Sequence, residues 1–300
     1  MIYVFNQLSF YITMSQGKMS NFRLYRVDKG TNQEILTRRQ TQFAEYCQRV
    51  TDTEKLVQNI NNSWSIARVA KECPPPDWQA VFEEAQSEIA HISRLIEEQE
   101  KIHGSIVPQK RDIFRAFYLT PLSRCRIIII GQDPYYQMLN NGYPRAIGLS
   151  FSLRPHDTVT VSLRNIYKEL QREDPDFIIP NHGDLSYWAS QGVLLLNMSL
   201  STIPNKANAH KGLWNGFIDI VIKHILKEVK KPIVMLWGRE AQQLVVNVPS
   251  IKKAEILECP HPATRNFHDP FIGNNHFLKA NWYLQQAGLD IIDWQLPVRG

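Results

Sequence analysis

The sequence predicts an α/β fold, with a central four-stranded parallel sheet flanked by helices and an N-terminal extension ahead of it. Three observations carry this. Ile127, Ile128, Ile129 and Ile130 form a run of β-branched side chains suited to a strand buried on both faces. Three more short apolar runs follow at 193–196, 233–237 and 254–257. Amphipathic helical patterns lie between them, and strand–helix–strand alternation implies right-handed crossovers and a parallel sheet with helices on both faces.

Taken in order, residues 1–75 show no clear period and end at Cys73-Pro74-Pro75-Pro76, which reads as a boundary or stiff spacer. They read as an extension of short helices, partly disordered. Its first fourteen residues are apolar, but they lack a basic leader and are broken by Asn6 and Gln7, which argues against a signal peptide. Met14 and Met19 are alternative starts. From 76 to 300 the pattern sharpens. Trp78, Val81, Phe82, Ala85, Ile89, Ile92 and Ile96 fall at helical spacing, with Asp77 placed to cap the start. Further helical patterns lie at 159–172, 213–230, 239–246 and 275–287.

Composition bounds the function classes. Apolar residues make up 43% of the 300 and charged residues 21%, which is ordinary for a globular protein with a sizeable core. The formal charge of +5 suits a polyanionic partner without requiring one. The four cysteines, Cys47, Cys73, Cys125 and Cys259, form no CxxC pair, against a zinc ribbon, an iron–sulfur site or a disulfide scaffold. No apolar run reaches the roughly eighteen residues of a membrane span.

Parallel strands point their carboxyl ends one way, and ligand crevices of open α/β sheets lie at that edge. The four predicted strands run into Gly131-Gln132-Asp133, Asn197-Met198-Ser199, Trp237-Gly238-Arg239 and Cys259-Pro260-His261-Pro262. One carboxylate, one amide, one arginine and one histidine therefore converge. No acidic neighbour joins Asp133 in a two-metal cluster, and neither a GxSxG elbow nor a GxxxxGK[ST] loop is present. The carboxylate, histidine and asparagine, with Tyr135 and Phe151, can hold a flat heterocycle by stacking and read its edge by hydrogen bonds. The carboxylate can then steady a cation or orient water. Each residue also has a plainer role: Asn197 capping a strand end, His261 in a turn, Tyr135 and Phe151 in the core, Arg239 and Arg265 as solvated charges. Spacing alone reaches a ligand-binding α/β enzyme.

The motifs go further. GQDPYY at 131–136, GLSFSL at 148–153, SLRNIYKEL at 162–170, HGDLSYWASQGVLLLN at 182–197, MLWGREAQ at 235–242 and HPATRNF at 261–267 resemble the main family of uracil-DNA glycosylases. The resemblance spans about residues 78–294. It implies a single catalytic domain that flips deoxyuridine out of DNA, hydrolyses the N-glycosidic bond without metal or cofactor, and leaves an abasic site for base excision repair. By the same resemblance Phe151 stacks on uracil, Asn197 reads its polar edge, and Tyr135 excludes the thymine methyl. A neutral His261 and the backbone at Gln132 hold the uracil O2, while Asp133 stabilises the sugar cation and places water. Ser162, Gly238, Arg239, Ala263 and Arg265 meet the DNA backbone. Implied partners are single- or double-stranded DNA containing uracil, inhibitor proteins of such glycosylases, and replication or repair proteins reached through the extension. The chain is expected as a monomer off the membrane, in a nucleus (a host's, for a large DNA virus) or in bacterial cytoplasm. The competing readings are a glycosylase-fold DNA-binding protein or polymerase processivity factor, and another nucleobase-processing enzyme such as one acting on free nucleosides.

The chain departs from the family pattern at several points. Tyr136 stands where histidine is frequent, and the loop 137–147 is longer than in compact members. The loop at 154–158 has a single proline, Pro155. Ala263 replaces a serine, and Arg265 replaces a leucine wedge. An arginine plug at that position predicts slower or more salt-sensitive excision.

Overall fold

The computed structural model describes residues 25, 27–264 and 270–297. Its sheet has four strands, β1 (Ile127–Gly131), β2 (Val193–Asn197), β3 (Ile233–Trp237) and β4 (Glu255–Cys259), in the order β2-β1-β3-β4 and all parallel. The first three are buried along their whole length, as the isoleucine run requires. Edge strand β4 is only partly covered, and it alternates accordingly.

Eleven α-helices are described. Ahead of the sheet come α1 (Asn32–Val57), α2 (Ile66–Glu72), α3 (Gln79–Glu84), α4 (Gln86–His103) and α5 (Arg115–Leu119). Next are α6 (Val161–Glu173) and α7 (Ser186–Ser190) between β1 and β2, and α8 (Asn215–Glu228) between β2 and β3. After β3 come α9 (Arg239–Gln242) and α10 (Leu244–Asn247), and α11 (His276–Gln286) closes the fold.

Sheet and helices share one hydrophobic core. Trp78, Trp188, Trp214 and Trp237 are among its largest fully buried side chains. Each indole N–H has an acceptor: Thr120 O at 2.8 Å, Trp294 O at 3.0 Å, Ser201 Oγ at 2.9 Å and His276 Nδ1 at 3.0 Å respectively. That pairing makes tryptophan burial favourable, since an unpaired donor inside the core costs roughly 1–3 kcal/mol.

Several sequence expectations change here. Beside α2, a short helix as expected, the extension contains α1, which is 26 residues long. Its start is a capping box: the Thr31 side chain accepts from Glu34 N–H, and Glu34 accepts from Thr31 N–H. Tyr46, Val57, Ile60, Ile66 and Val69 join the same core as the sheet, so packing does not break at the prolines. The predicted helix beginning at Trp78 is two helices hinged at Ala85, whose backbone ends α3 and begins α4. Its apolar face is nonetheless buried throughout, from Trp78 to Ile96. Asp77 caps nothing there; with φ at 71° it instead accepts a hydrogen bond from Ser123 N–H at 2.7 Å. The pattern at 239–246 is likewise split, into α9 and α10. Residues 1–24, including the apolar start and both alternative methionines, lie outside the described residues.

Candidate active site at the carboxyl edge of the sheet

β1 and β2 end in register, with Gly131 opposite Asn197. A side chain at Gly131 is impossible without rebuilding: its Cβ would stand 2.1 Å from Asn197 Oδ1 and 2.8 Å from Ser150 Cβ. The glycine therefore lets the buried Asn197 amide lie across the end of β1. Met198 N–H donates to Gly131 O at 2.9 Å and Ser199 N–H to Gln132 O at 3.0 Å, extending the pairing beyond the strands and fixing the turn that carries Asp133.

Phe151 follows Ser150, which is pinned by N–H donation to Leu195 O at 3.0 Å and Oγ donation to Ile129 O at 3.1 Å. The Phe151 backbone is left-handed, with φ at 61°. For a bulky residue that costs on the order of 1–3 kcal/mol, and such strain clusters at functional sites. It brings the ring to 5.4 Å from Trp237 and 5.9 Å from His261, centroid to centroid. Tyr135 is held by its hydroxyl, 3.0 Å from Thr160 Oγ1 and 3.4 Å from Phe151 O. Burial pushes its phenol pKa up, so it stays neutral.

On the other side of the edge, Gly238 has φ at 94°, and a Cβ there would meet His261 Cβ at 2.8 Å. Glycine is thus required for His261 to approach the end of β3. Ala263 N–H donates to His261 Nδ1 at 3.1 Å. The ring proton then sits on Nε2, which is left as a donor. Burial lowers the His261 pKa, so the ring is neutral. Asn165 Nδ2 on α6 donates to Pro262 O at 2.6 Å and braces this turn.

Asp133 is half-buried. Burial raises its pKa, while Asn208 N–H, donating to Oδ2 at 2.8 Å, pulls it back down. A half-desolvated carboxylate and a neutral imidazole N–H on one sheet edge suit a reaction that separates charge. The carboxylate faces a cation, and the imidazole donates to an anion.

The structure brings Asp133, Tyr135, Phe151, Asn197 and His261 to one sheet edge. Beside these residues, a cleft of about 1100 Å³ is lined by Gln132, Gly238, Arg239 and His261. Ser162 is half-buried in the first turn of α6, next to Thr160, which supplies the helix cap. Arg239 and Ala263 are exposed. Arg265, and with it the expected plug, lies outside the described residues.

The profile of the Uracil DNA glycosylase superfamily matches residues 117–285. The chain belongs to that superfamily. It is 39% identical over 223 residues to the uracil-DNA glycosylase of Francisella philomiragia, covering 73% of this chain and all of the relative. Mimivirus uracil-DNA glycosylase superposes with a TM-score of 0.67 at 28% identity, over 74% of this chain and 87% of that one. A mimivirus UNG variant solved in complex with UGI matches equally, with a TM-score of 0.67 at 27% identity over 74% and 88% of the two chains.

Sequence reasoning missed three contributors to this glycosylase-family site. Ser150 and Thr160 hold Phe151 and Tyr135 by the contacts above, and the run GLSFSL with the helix start that follows was the available signal. Asn208 contacts Asp133 and also accepts from Gln132 Nε2 at 2.7 Å. Nothing in the string Pro204-Asn205-Lys206-Ala207-Asn208 marks it beyond a turn.

Proposed function

We propose that this chain excises uracil from DNA: deoxyuridine enters the ring of residues above, its N-glycosidic bond is hydrolysed, and an abasic site remains. The observation that carries this is the pairing, on one sheet edge, of a half-buried carboxylate with a neutral histidine donating from Nε2. Cleavage of the bond makes the sugar cationic and the departing uracil anionic at O2. Asp133 stabilises the first and orients the water that adds to C1′. His261 Nε2–H stabilises the second without itself needing to lose a charge. Phe151 offers a stacking face.

Selection follows from the walls. Asn197 is fixed over Gly131, so its amide presents a set pattern of donor and acceptor to the ring edge. Cytosine, with that pattern exchanged, leaves buried polar groups unpaired. Tyr135, locked through its hydroxyl, occupies space that a thymine methyl needs, and an added methyl in a packed site costs about 1–3 kcal/mol. Ser162, Gly238, Arg239 and Ala263 border the site where phosphates would run, giving register without reading sequence. Protein inhibitors are proposed as partners as well, since a similar fold is solved in complex with UGI.

The test is release of free base from oligonucleotides carrying one uracil, thymine or cytosine, with deoxyuridine nucleoside alongside. Uracil released from DNA alone supports the proposal. Release from the nucleoside at a comparable rate would point to a nucleoside-cleaving enzyme.

A further inference from the structure

We propose that the loop 203–210 is a template that positions the catalytic turn, with Asn208 as the positioning residue for Asp133. This rests on the reading of the site as a uracil-excising centre. Two asparagines of the loop are left-handed, Asn205 with φ at 61° and Asn208 with φ at 58°. Asparagine is among the few residues that adopt this conformation readily. In each, the backbone N–H is thereby turned toward the 131–136 turn. Asn205 donates to Tyr136 O at 2.8 Å, and Asn208 donates to Asp133 Oδ2 at 2.8 Å. The Asn208 side chain also accepts from Gln132 Nε2 at 2.7 Å. Gln132, Asp133 and Tyr136 are therefore all held from one loop.

The loop is itself well anchored. Thr202 exchanges two backbone hydrogen bonds with Val107, each 2.9 Å. Its hydroxyl donates to Lys206 O at 2.7 Å and accepts from Ala209 N–H at 3.2 Å. The buried His210 pairs through Nδ1 with Ser201 Oγ at 2.8 Å. Such support is what keeps a reacting group within a fraction of an ångström of its productive place. With Oδ2 tied to the loop, the Asp133 carboxylate has a fixed rotation, and Oδ1 is left for the sugar cation or the attacking water. Asn208 touches neither substrate nor water in this scheme; it acts through Asp133.

The test uses two substitutions in the full chain. Asn208→Gly keeps a left-handed backbone and its N–H while losing the link to Gln132. Asn208→Val disfavours the left-handed backbone and loses both contacts. Single-turnover uracil release should fall modestly for the glycine variant. For valine it should fall roughly 10²-fold in kcat with KM little changed, the scale of a 1 Å misplacement. In an Asp133→Asn background the valine change should cost nothing further, because the two residues act as one unit. Independently of activity, a carbon-13 NMR titration of the Asp133 carboxyl should show a higher pKa in Asn208→Val than in the unsubstituted chain. Asn208→Ala takes the place of valine if that chain does not fold. Equal losses in both backgrounds, or an unmoved Asp133 titration, would overturn the proposal. Failure of the unsubstituted chain to release uracil would instead strike the proposed function, with the titration still deciding the role of Asn208.

Discussion

Two groups on the site's sheet edge have pKa values shifted in opposite directions, and desolvation leads both shifts. Asp133 is pushed up and partly rescued by Asn208 N–H, whereas His261 is pushed down and kept neutral by its main-chain donor. The sign of the pH dependence follows. A histidine lowered from its ordinary range is already neutral where free histidine would be half charged, so kcat/KM should show no inflection there. Activity should fall only on further acidification, as Asp133 takes a proton, and at a pH above that of an ordinary aspartate. A profile of kcat/KM between neutral and acid pH checks this; a break in the ordinary histidine range would count against it. At this scale the sequence was informative about which side chains matter and silent about what holds them. The strand ends placed Asp133, Asn197 and His261 on one edge. The left-handed backbone of Phe151 and the close approaches at Gly131 and Gly238 depend on neighbours distant in the chain, which no local pattern records.

Among the elements, α6 does more than cover the sheet. Burial would raise the pKa of its Glu169, but Arg172 and the N–H groups of Gly273 and Asn275, at 2.8, 2.7 and 2.9 Å, outweigh that and hold the carboxyl below its ordinary value. Glu173 one turn on is raised well above its ordinary value by burial and by Glu169, and accepts from Leu278 N–H. Together they fasten the segment 273–278 at the start of α11, just beyond residues 265–269. Glu169→Gln should therefore cost about 2–3 kcal/mol, the worth of a charge-assisted hydrogen bond, seen as a lower urea midpoint at neutral pH. Because the folded pKa is depressed, Glu169 contributes above its unfolded pKa and loses that contribution as pH falls through the folded one. The gap between the two chains should accordingly close in acid. A constant gap at all pH values would mean the loss is one of packing. The helical period of α6 was plain in the sequence, as were all four strands. The hinge at Ala85 was not, because the same apolar residues face the core on both sides of it. α1 was overlooked although Phe43, Tyr46, Val50 and Val57 repeat at helical spacing and Thr31 with Glu34 forms a capping signature; its long polar face diluted the period.

For the molecule as a whole, α1 acts as a strap on the side away from the site. It packs on α5 and α7, which lead into the amino ends of β1 and β2. It is tied by Arg39 to Asp293 at 2.7 Å, Arg124 to Glu45 at 2.7 Å, and Arg111 and Arg115 to Glu54. Of these, only the Arg124–Glu45 pair is exposed at both ends, and a pair of that kind contributes little. The buried Tyr46 and Val57 contribute more, each apolar side chain being worth about 1.5–3 kcal/mol. Removal of residues 1–58 should lower Tm by several degrees and leave uracil release per folded molecule nearly unchanged, measured by a thermal melt beside a single-turnover assay. Loss of release from a well-folded truncated chain would give the extension a part in the reaction.

In the proposed reaction the Asp133 carboxylate, just beyond β1, stabilises the sugar cation as the uracil–sugar bond breaks. The most direct test is alkali-labile site formation in a single-uracil oligonucleotide, comparing the unsubstituted chain with Asp133→Asn. The first should cleave efficiently and the second should lose on the order of 10³-fold, with DNA binding retained and Tm unchanged or raised, since a half-buried charge has been removed. Equal cleavage by both chains would contradict this role.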